Sequence, residues 1–149
     1  DICKDLGIGN STGLGMAPFI VNHPTLLNNW IYARELSLKK IREIKNVNLW
    51  RQEDWAEFPD TVTLRGLKHL GVLGDMAEAG HRAVLIYCVQ HTGCSRFRLA
   101  EDLDPAYAAA CLQAQARGVE MLCYKCDLNI TEITVRGALP LDFGSLARR

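Results

Sequence analysis

A continuous apolar run over residues 82–89 is the feature that most constrains the fold. It reads Arg-Ala-Val-Leu-Ile-Tyr-Cys-Val and has the length of one strand. Because every residue after the arginine is apolar, rather than every second one, the strand is expected to be covered on both faces. Such strands are typical of proteins in which helices cover a largely parallel sheet. The run therefore predicts an α/β fold.

Helix signals lie on both sides of this strand. Leucine and methionine side chains recur at helical spacing after Thr61-Val62-Thr63, where threonine can cap a helix, and Gly80 can end it. Asp104 and Pro105 are typical of a second helix start, because aspartate caps a first turn and proline fits it. Two further strands are expected after that helix, at residues 119–126 and 132–139. The order predicts a mixed sheet with flanking helices.

The N-terminal part of the chain differs in character from the rest. The glycine-dense residues 7–15 predict a loop, because glycine accepts backbone conformations that other residues resist. Apolar side chains at helical spacing after Pro24 predict a helix that ends near residue 39. We therefore expect residues 1–40 to be a glycine-rich loop and a helix of unknown role. Residues 41–149 are expected to form the α/β domain, with the whole chain as one folding unit.

Polar and apolar residues alternate from Ile41 onward. In an extended strand Glu43 and Lys45 share one face, because side chains two apart point the same way. If the preceding helix runs on instead, residues two apart diverge by about 200° and both become ordinary solvated surface. The pattern alone leaves both structures open.

Five segments follow one another in a specific order and spacing. They are Glu43-Ile44-Lys45-Asn46-Val47, Phe58-Pro59-Asp60-Thr61-Val62-Thr63, Arg65-Gly66-Leu67-Lys68-His69-Leu70, Gly80-His81-Arg82-Ala83-Val84 and Arg117-Gly118-Val119-Glu120. Together they resemble the bacterial sugar fermentation stimulation protein A family over about residues 41–141, whereas residues 1–39 do not match it. The resemblance implies a restriction-endonuclease-like core, truncated here because the N-terminal region of the family is not matched.

The resemblance also implies that Glu43 and Lys45 stand at the Glu-x-Lys pair of a nuclease. The carboxylate would help to hold Mg²⁺, and the ammonium would orient or activate water beside a scissile phosphate. The family takes a second carboxylate from the preceding strand, which is not identifiable upstream of Glu43, so Asp60 is the remaining candidate metal ligand. The predicted nucleic-acid contacts are Arg65, Lys68 and His69. Lys68 and His69 have an alternative interpretation as a surface lysine beside a hydrogen-bonded histidine.

The function expected from these residues is interaction with duplex DNA, with Mg²⁺-dependent phosphodiester hydrolysis if the metal site is complete. The alternative is a non-catalytic α/β scaffold, or a recombinant, chimeric protein without nucleic-acid activity, because the chain changes character near residue 40. Lysine plus arginine equal aspartate plus glutamate at 17 each, so DNA binding requires a local basic patch. A sheet that lacks a central strand has an open edge, so a homodimer through that edge is also expected.

The cysteines and the hydropathy pattern bear on the compartment. Four of the six cysteines lie within or beside apolar runs, which predicts buried thiols. Cys123 and Cys126 are three apart in a predicted strand, point to opposite faces and cannot chelate one metal together. The sequence contains neither a secretory signal pattern nor a run of about 20 apolar residues. A reduced, cytoplasmic protein outside the membrane is expected.

Overall fold

The computed structural model describes residues 40–143, which form two mixed four-stranded sheets and two helices. The strands are β1 (Lys40–Val47), β2 (Leu49–Gln52), β3 (Asp54–Phe58), β4 (Arg82–Val89), β5 (Cys94–Leu99), β6 (Glu120–Leu128), β7 (Ile133–Ala138) and β8 (Leu141–Asp142). The helices are α1 (Leu64–Glu78) and α2 (Pro105–Ala116). The α/β fold class predicted from the sequence is confirmed. The predicted glycine-rich loop and first helix lie outside the described residues.

The first sheet has the order β1-β4-β6-β7. Strands β1 and β6 both pair in parallel with β4, and β7 is antiparallel to β6. Every residue from Ala83 to Val89 is buried, so β4 is covered on both faces as predicted. Its odd-numbered side chains join the main core, while Val84 and Ile86 pack with Tyr124 on the opposite face. The central position of β4 therefore sets the register of its neighbours.

The second sheet, with the order β2-β3-β5-β8, was not predicted. No strand was expected at residues 94–99, yet they form β5, which pairs in parallel with β3. Phe97 and Leu99 on β5 and Ala56 on β3 are buried in the main core. The outward positions of β3 and β5 carry charged residues, and this is why hydropathy alone did not indicate strands there.

Both predicted helix starts and the predicted stop at Gly80 are confirmed. The Thr63 hydroxyl accepts a hydrogen bond from Gly66 N at 3.0 Å, and the Asp104 carboxylate accepts one from Tyr107 N at 2.9 Å. Gly80 and Gly118 follow the two helices with positive φ angles of 86° and 98°, which glycine adopts without a steric penalty. No helix within residues 40–143 has the length and apolar character needed to cross a membrane.

Asp104 connects the starts of both helices. Its Oδ1 caps α2, and its Oδ2 accepts a second hydrogen bond from Thr63 N at 2.9 Å, directly before α1. The side chain is buried, with an exposed fraction of 1% for the residue. One carboxylate therefore satisfies a backbone donor at the start of each helix.

We expect Asp104→Ala to lower the free energy of unfolding by about 2–4 kcal/mol, because a helix cap and a second buried acceptor are lost together. Asp104→Asn should cost less, since the amide oxygen can keep one of the two bonds. Glu53→Ala, at an exposed turn, is the control and should stay within about 0.5 kcal/mol of the parent chain. Urea denaturation measures all three. Equal stability of the Asp104→Ala and Glu53→Ala variants would contradict this role.

Glu57 is the buried centre of an ion cluster on the second sheet. Arg51 donates two hydrogen bonds to its carboxylate at 2.8 and 2.9 Å, and Arg98 donates one at 2.9 Å. Burial alone would raise the pKa of Glu57, but the two guanidinium groups outweigh it and lower that pKa below its ordinary value. A buried carboxylate is tolerated here because it is paired.

Because the folded-state pKa of Glu57 is lowered, its contribution to stability is present above the unfolded pKa near 4.5 and is lost as the pH falls through the folded value. We expect Glu57→Gln to lower the free energy of unfolding by about 1–3 kcal/mol at pH 7 and to flatten its decrease below pH 4.5. Asp102→Asn, at an exposed partner of Arg51, should cost less. Urea denaturation from pH 3 to pH 7 tests this. An unchanged pH profile in Glu57→Gln would refute it.

Candidate functional site

Glu43 and Lys45 lie on a strand, not on a continuation of a helix, so the structure settles the alternative that the sequence left open. In β1 they pair with Leu85 and Tyr87 of β4 and therefore point to the same face of the first sheet, toward the main core and the helices. Lys45 Nζ donates a hydrogen bond to Glu43 Oε1 at 3.0 Å. The predicted juxtaposition of the two side chains is confirmed.

Helix α1 brings a third side chain to this pair. His69 Nδ1 lies 2.5 Å from Glu43 Oε1 and 3.3 Å from Lys45 Nζ. The exposed fractions of the side chains are 27% for Glu43, 11% for Lys45 and 25% for His69. The three groups, which we call the Glu43 cluster, are thus half-buried but reachable from solvent.

The sequence around the start of α1 explains how His69 reaches β1. Thr63 fixes the first turn, and Gly66 allows a close approach to α2. A Cβ atom at Gly66 would lie 2.8 Å from Tyr107 Cε2 and 2.7 Å from Thr63 Cγ2, which is closer than packed atoms allow. The helix can therefore lie against α2 only with glycine at this position, and His69, one turn later, faces the first sheet.

A buried polar network lies close to the Glu43 cluster. Tyr87 is fully buried, and its hydroxyl lies 3.0 Å from the Tyr107 hydroxyl and 3.3 Å from Cys111 Sγ. Burial and, to a smaller degree, the neighbouring Glu43 carboxylate raise the pKa of Tyr107. Burial raises the pKa of the Cys111 thiol to about 11, against a weaker opposite effect of Lys45. These groups are therefore neutral at physiological pH.

The cationic residues predicted to contact nucleic acid have different positions. Arg65 and Lys68 are exposed on the first turns of α1, whereas His69 turns inward to the Glu43 cluster. Two exposed cations thus lie next to the cluster in sequence, on the helix that supplies its histidine. Thr63 to His69 form one short segment that provides a cap, two surface charges and one side chain of the cluster.

Asp60 is exposed in the segment between β3 and α1 and makes no hydrogen bond or ion pair with the Glu43 cluster. Within residues 40–143, no group of three or more histidine, cysteine, aspartate or glutamate side chains is arranged to hold a metal ion. Glu43 by itself fits a hard divalent cation, because Mg²⁺ is often bound through one or two carboxylates and otherwise keeps water and phosphate oxygens as ligands.

A second charged region has a different character. An open cleft of about 810 Å³ is lined by Arg51, Glu57, Arg98 and Asp102, among others, and not by Glu43. Both arginines in the cleft are already paired with carboxylates at 2.6–2.9 Å. The charges of the cleft therefore pair with one another and help to hold the second sheet together.

The described cysteines and Trp55 take part in packing and side-chain contacts of the fold. The five described cysteines are buried free thiols, as predicted. Cys126 Sγ lies 3.3 Å from Cys88 Sγ on the neighbouring strand, while Cys123 packs in the main core. The ring of Trp55 is flanked by the guanidinium groups of Arg96 and Arg98, whose carbons lie 5.5 and 5.1 Å from its centroid.

Sequence reasoning did not predict that His69 contacts Glu43. The two residues are 26 positions apart, so the contact depends on how α1 packs against β1. The available signal was indirect. A strand with two charged side chains that face the core needs partners for those charges. A histidine on the inward face of a helix that comes later in the chain is a candidate partner.

Comparison with known proteins agrees with this architecture. The sequence model of the family described as the sugar fermentation stimulation protein RE domain matches residues 32–132. The match starts within the segment that the sequence motifs left outside the resemblance. The structure of Pyrococcus furiosus SfsA in complex with Ca²⁺ is similar with a TM-score of 0.64 and 28% identity, over 68% of this chain and 44% of that chain.

Curated relatives are closer in sequence. A sugar fermentation stimulation protein homolog from Dinoroseobacter shibae is 60% identical over 100 residues, which are 67% of this chain and 41% of the relative. A homolog from Jannaschia sp. is 55% identical over 106 residues, or 71% of this chain and 44% of the relative. The chain thus spans less than half the length of these relatives. With a family match over more than half of its residues, it belongs to the sugar fermentation stimulation protein family, through the RE domain.

Proposed function

We propose that this chain interacts with duplex DNA through α1 and hydrolyses phosphodiester bonds at the Glu43 cluster with the help of a divalent cation. The observation that carries the proposal is that Glu43 and Lys45 of β1 converge with His69 of α1 within 2.5–3.3 Å. The same helix also exposes Arg65 and Lys68. A carboxylate, an ammonium and an imidazole in contact are the groups that metal-assisted hydrolysis of a phosphodiester uses.

The roles follow from the positions of the side chains. Glu43 would hold the cation, for which Mg²⁺ is the ion expected from oxygen chemistry, and a bound cation neutralises charge that develops on the phosphate. Lys45 is the most buried member, and its ammonium lies beside the ligand oxygen. There it can orient a water molecule toward the phosphate and stabilise the negative charge of the attacking oxygen.

Phosphate contacts outside the cluster are assigned to Arg65 and Lys68. Both are exposed, and the chain as a whole has no net charge to attract DNA. Binding would therefore depend on this local pair and vary steeply with salt. The partners that we propose are duplex DNA and a second copy of the chain. The second copy would pair with β1, which ends the sheet order and whose outer edge pairs with none of the strands at residues 40–143.

The double substitution Arg65→Ala and Lys68→Ala should weaken duplex binding and reduce the slope of log affinity against log salt by about one for each lost phosphate contact. Fluorescence anisotropy with a labelled duplex between 50 and 200 mM salt measures both quantities. Arg136→Ala is the matched control, since Arg136 is an exposed arginine on β7, at the other end of the sheet. An unchanged slope in the double variant, or an equal effect of Arg136→Ala, would count against α1 as the DNA contact.

Glu43→Gln should abolish the thermal shift of the chain by Mg²⁺ or Mn²⁺ and lower hydrolysis by roughly 100-fold or more, because the metal contributes several kcal/mol to the transition state. DNA affinity in EDTA should stay within about twofold, since the duplex contacts are elsewhere. Lys45→Met should keep the metal response and lose hydrolysis. A metal response that is the same in Glu43→Gln and the parent chain would exclude this carboxylate as the ligand.

A further inference from the structure

Two large apolar side chains are exposed to solvent at the start of α1. Val62 and Leu64 have exposed fractions of 62% and 76%, and they flank Thr63, the residue that caps the helix. Single exposed apolar residues are common on protein surfaces, whereas neighbouring ones more often mark a contact surface. We call Val62 and Leu64 the apolar tip of α1.

The backbone of the apolar tip is fixed by the fold. Thr63 N donates a hydrogen bond to the buried Asp104 carboxylate at 2.9 Å, and Thr63 O accepts one from Leu67 N at 3.1 Å. Val62 is also β-branched, which restricts the rotation of its side chain. Side chains that are already held in place lose little conformational entropy when they bind a partner. The tip is therefore suited to press against a partner as a rigid body.

The charges beside the apolar tip indicate the partner. Arg65 and Lys68 are exposed on the first turns of the same helix, and Asp60 is the only acidic residue in the segment 60–68. Cations next to apolar side chains fit DNA, because its phosphates bind cations and its stacked bases offer apolar surface. Interfaces between two proteins are instead depleted of lysine. The composition of this surface therefore favours duplex DNA over a protein partner.

The apolar tip is close to the Glu43 cluster along α1. Leu64 and His69 are five residues apart on the helix, which corresponds to about 7.5 Å along its axis. Base pairs in a duplex are spaced by about 3.4 Å. A phosphate group at the Glu43 cluster and the bases beside the tip would thus belong to the same few base pairs.

We propose that Val62 and Leu64 enter a groove of the duplex and insert between two neighbouring base pairs, close to the phosphate that the Glu43 cluster receives. This inference rests on the proposed function and specifies its substrate. Inserted aliphatic side chains unstack a base step and kink the duplex, at a cost that depends on the sequence of that step. The cost is lowest where a base is mismatched. Duplexes with a mismatched base pair are therefore the preferred substrates.

The test compares the full 149-residue chain with its Val62→Thr and Leu64→Ser double variant in EDTA, on a matched duplex and on the same duplex with one central mismatch. Fluorescence anisotropy measures the affinities. We expect the parent chain to prefer the mismatched duplex by about fivefold. The double variant should lose this preference and bind the mismatched duplex about tenfold more weakly than the parent chain, because apolar contacts are removed. Its slope of log affinity against log salt should not change, since every phosphate contact remains.

A fluorescent adenine analogue at the central base step reports insertion directly, because its emission rises when the base unstacks. The parent chain should raise the emission, and the double variant should not. Leu64→Met keeps a long apolar side chain and should behave as the parent chain. Ile130→Ser is the matched control, since Ile130 is also a fully exposed apolar residue but lies between β6 and β7. Circular dichroism confirms that each variant is folded.

Unchanged affinity and emission in the double variant would overturn the inference, and the proposed function would stand if the Arg65→Ala and Lys68→Ala double variant still reduces the salt slope. An equal loss of binding in Ile130→Ser would also overturn it. A dimer of the parent chain that dissociates in the Val62 and Leu64 double variant without DNA would assign the tip to self-association instead. Failure of the parent chain to bind any duplex at about 50 mM salt would overturn both the inference and the proposed function.

Discussion

Burial of β4 on both faces is the constraint on which the rest of the structure depends. Residues 83–89 have exposed fractions of 7% or less, so neighbours must cover each side of the strand and pair with both of its edges. Tyr87 is the central side chain: its ring contacts Phe58 and Phe97 of the second sheet, and its hydroxyl meets Tyr107 of α2. A buried hydroxyl needs such partners. One strand thus connects both sheets with a helix.

Elements with local signals could be predicted from the sequence. The strand β4 is a continuous apolar run, and both helices have a capping residue at the start and a glycine after the end. The second sheet had no such signal. In β3 and β5 the charged residues Glu57 and Arg98 lie on the face opposite the main core and pair with each other across the sheet, 41 positions apart. Local patterns do not contain that information.

The candidate site could also be predicted only in part. Alternation in β1 placed Glu43 and Lys45 on one face, provided that the segment is a strand, and the family motifs pointed to the same pair. The inward orientation of His69 could not be derived, because it follows from the packing of α1 against β1 and from the absence of a side chain at Gly66. The site is therefore a product of tertiary packing as much as of its motif.

The shared carboxylate of Asp104 has a consequence for local fluctuations. If the first turn of α2 opens and Asp104 moves away, the backbone N–H of Thr63, which caps α1, loses its acceptor. The starts of the two helices therefore do not unravel independently. The helix that positions His69 thereby belongs to the same cooperative unit as α2. Amides at both helix starts should then exchange with solvent through one common opening, and the imidazole keeps its place for as long as that unit stays closed.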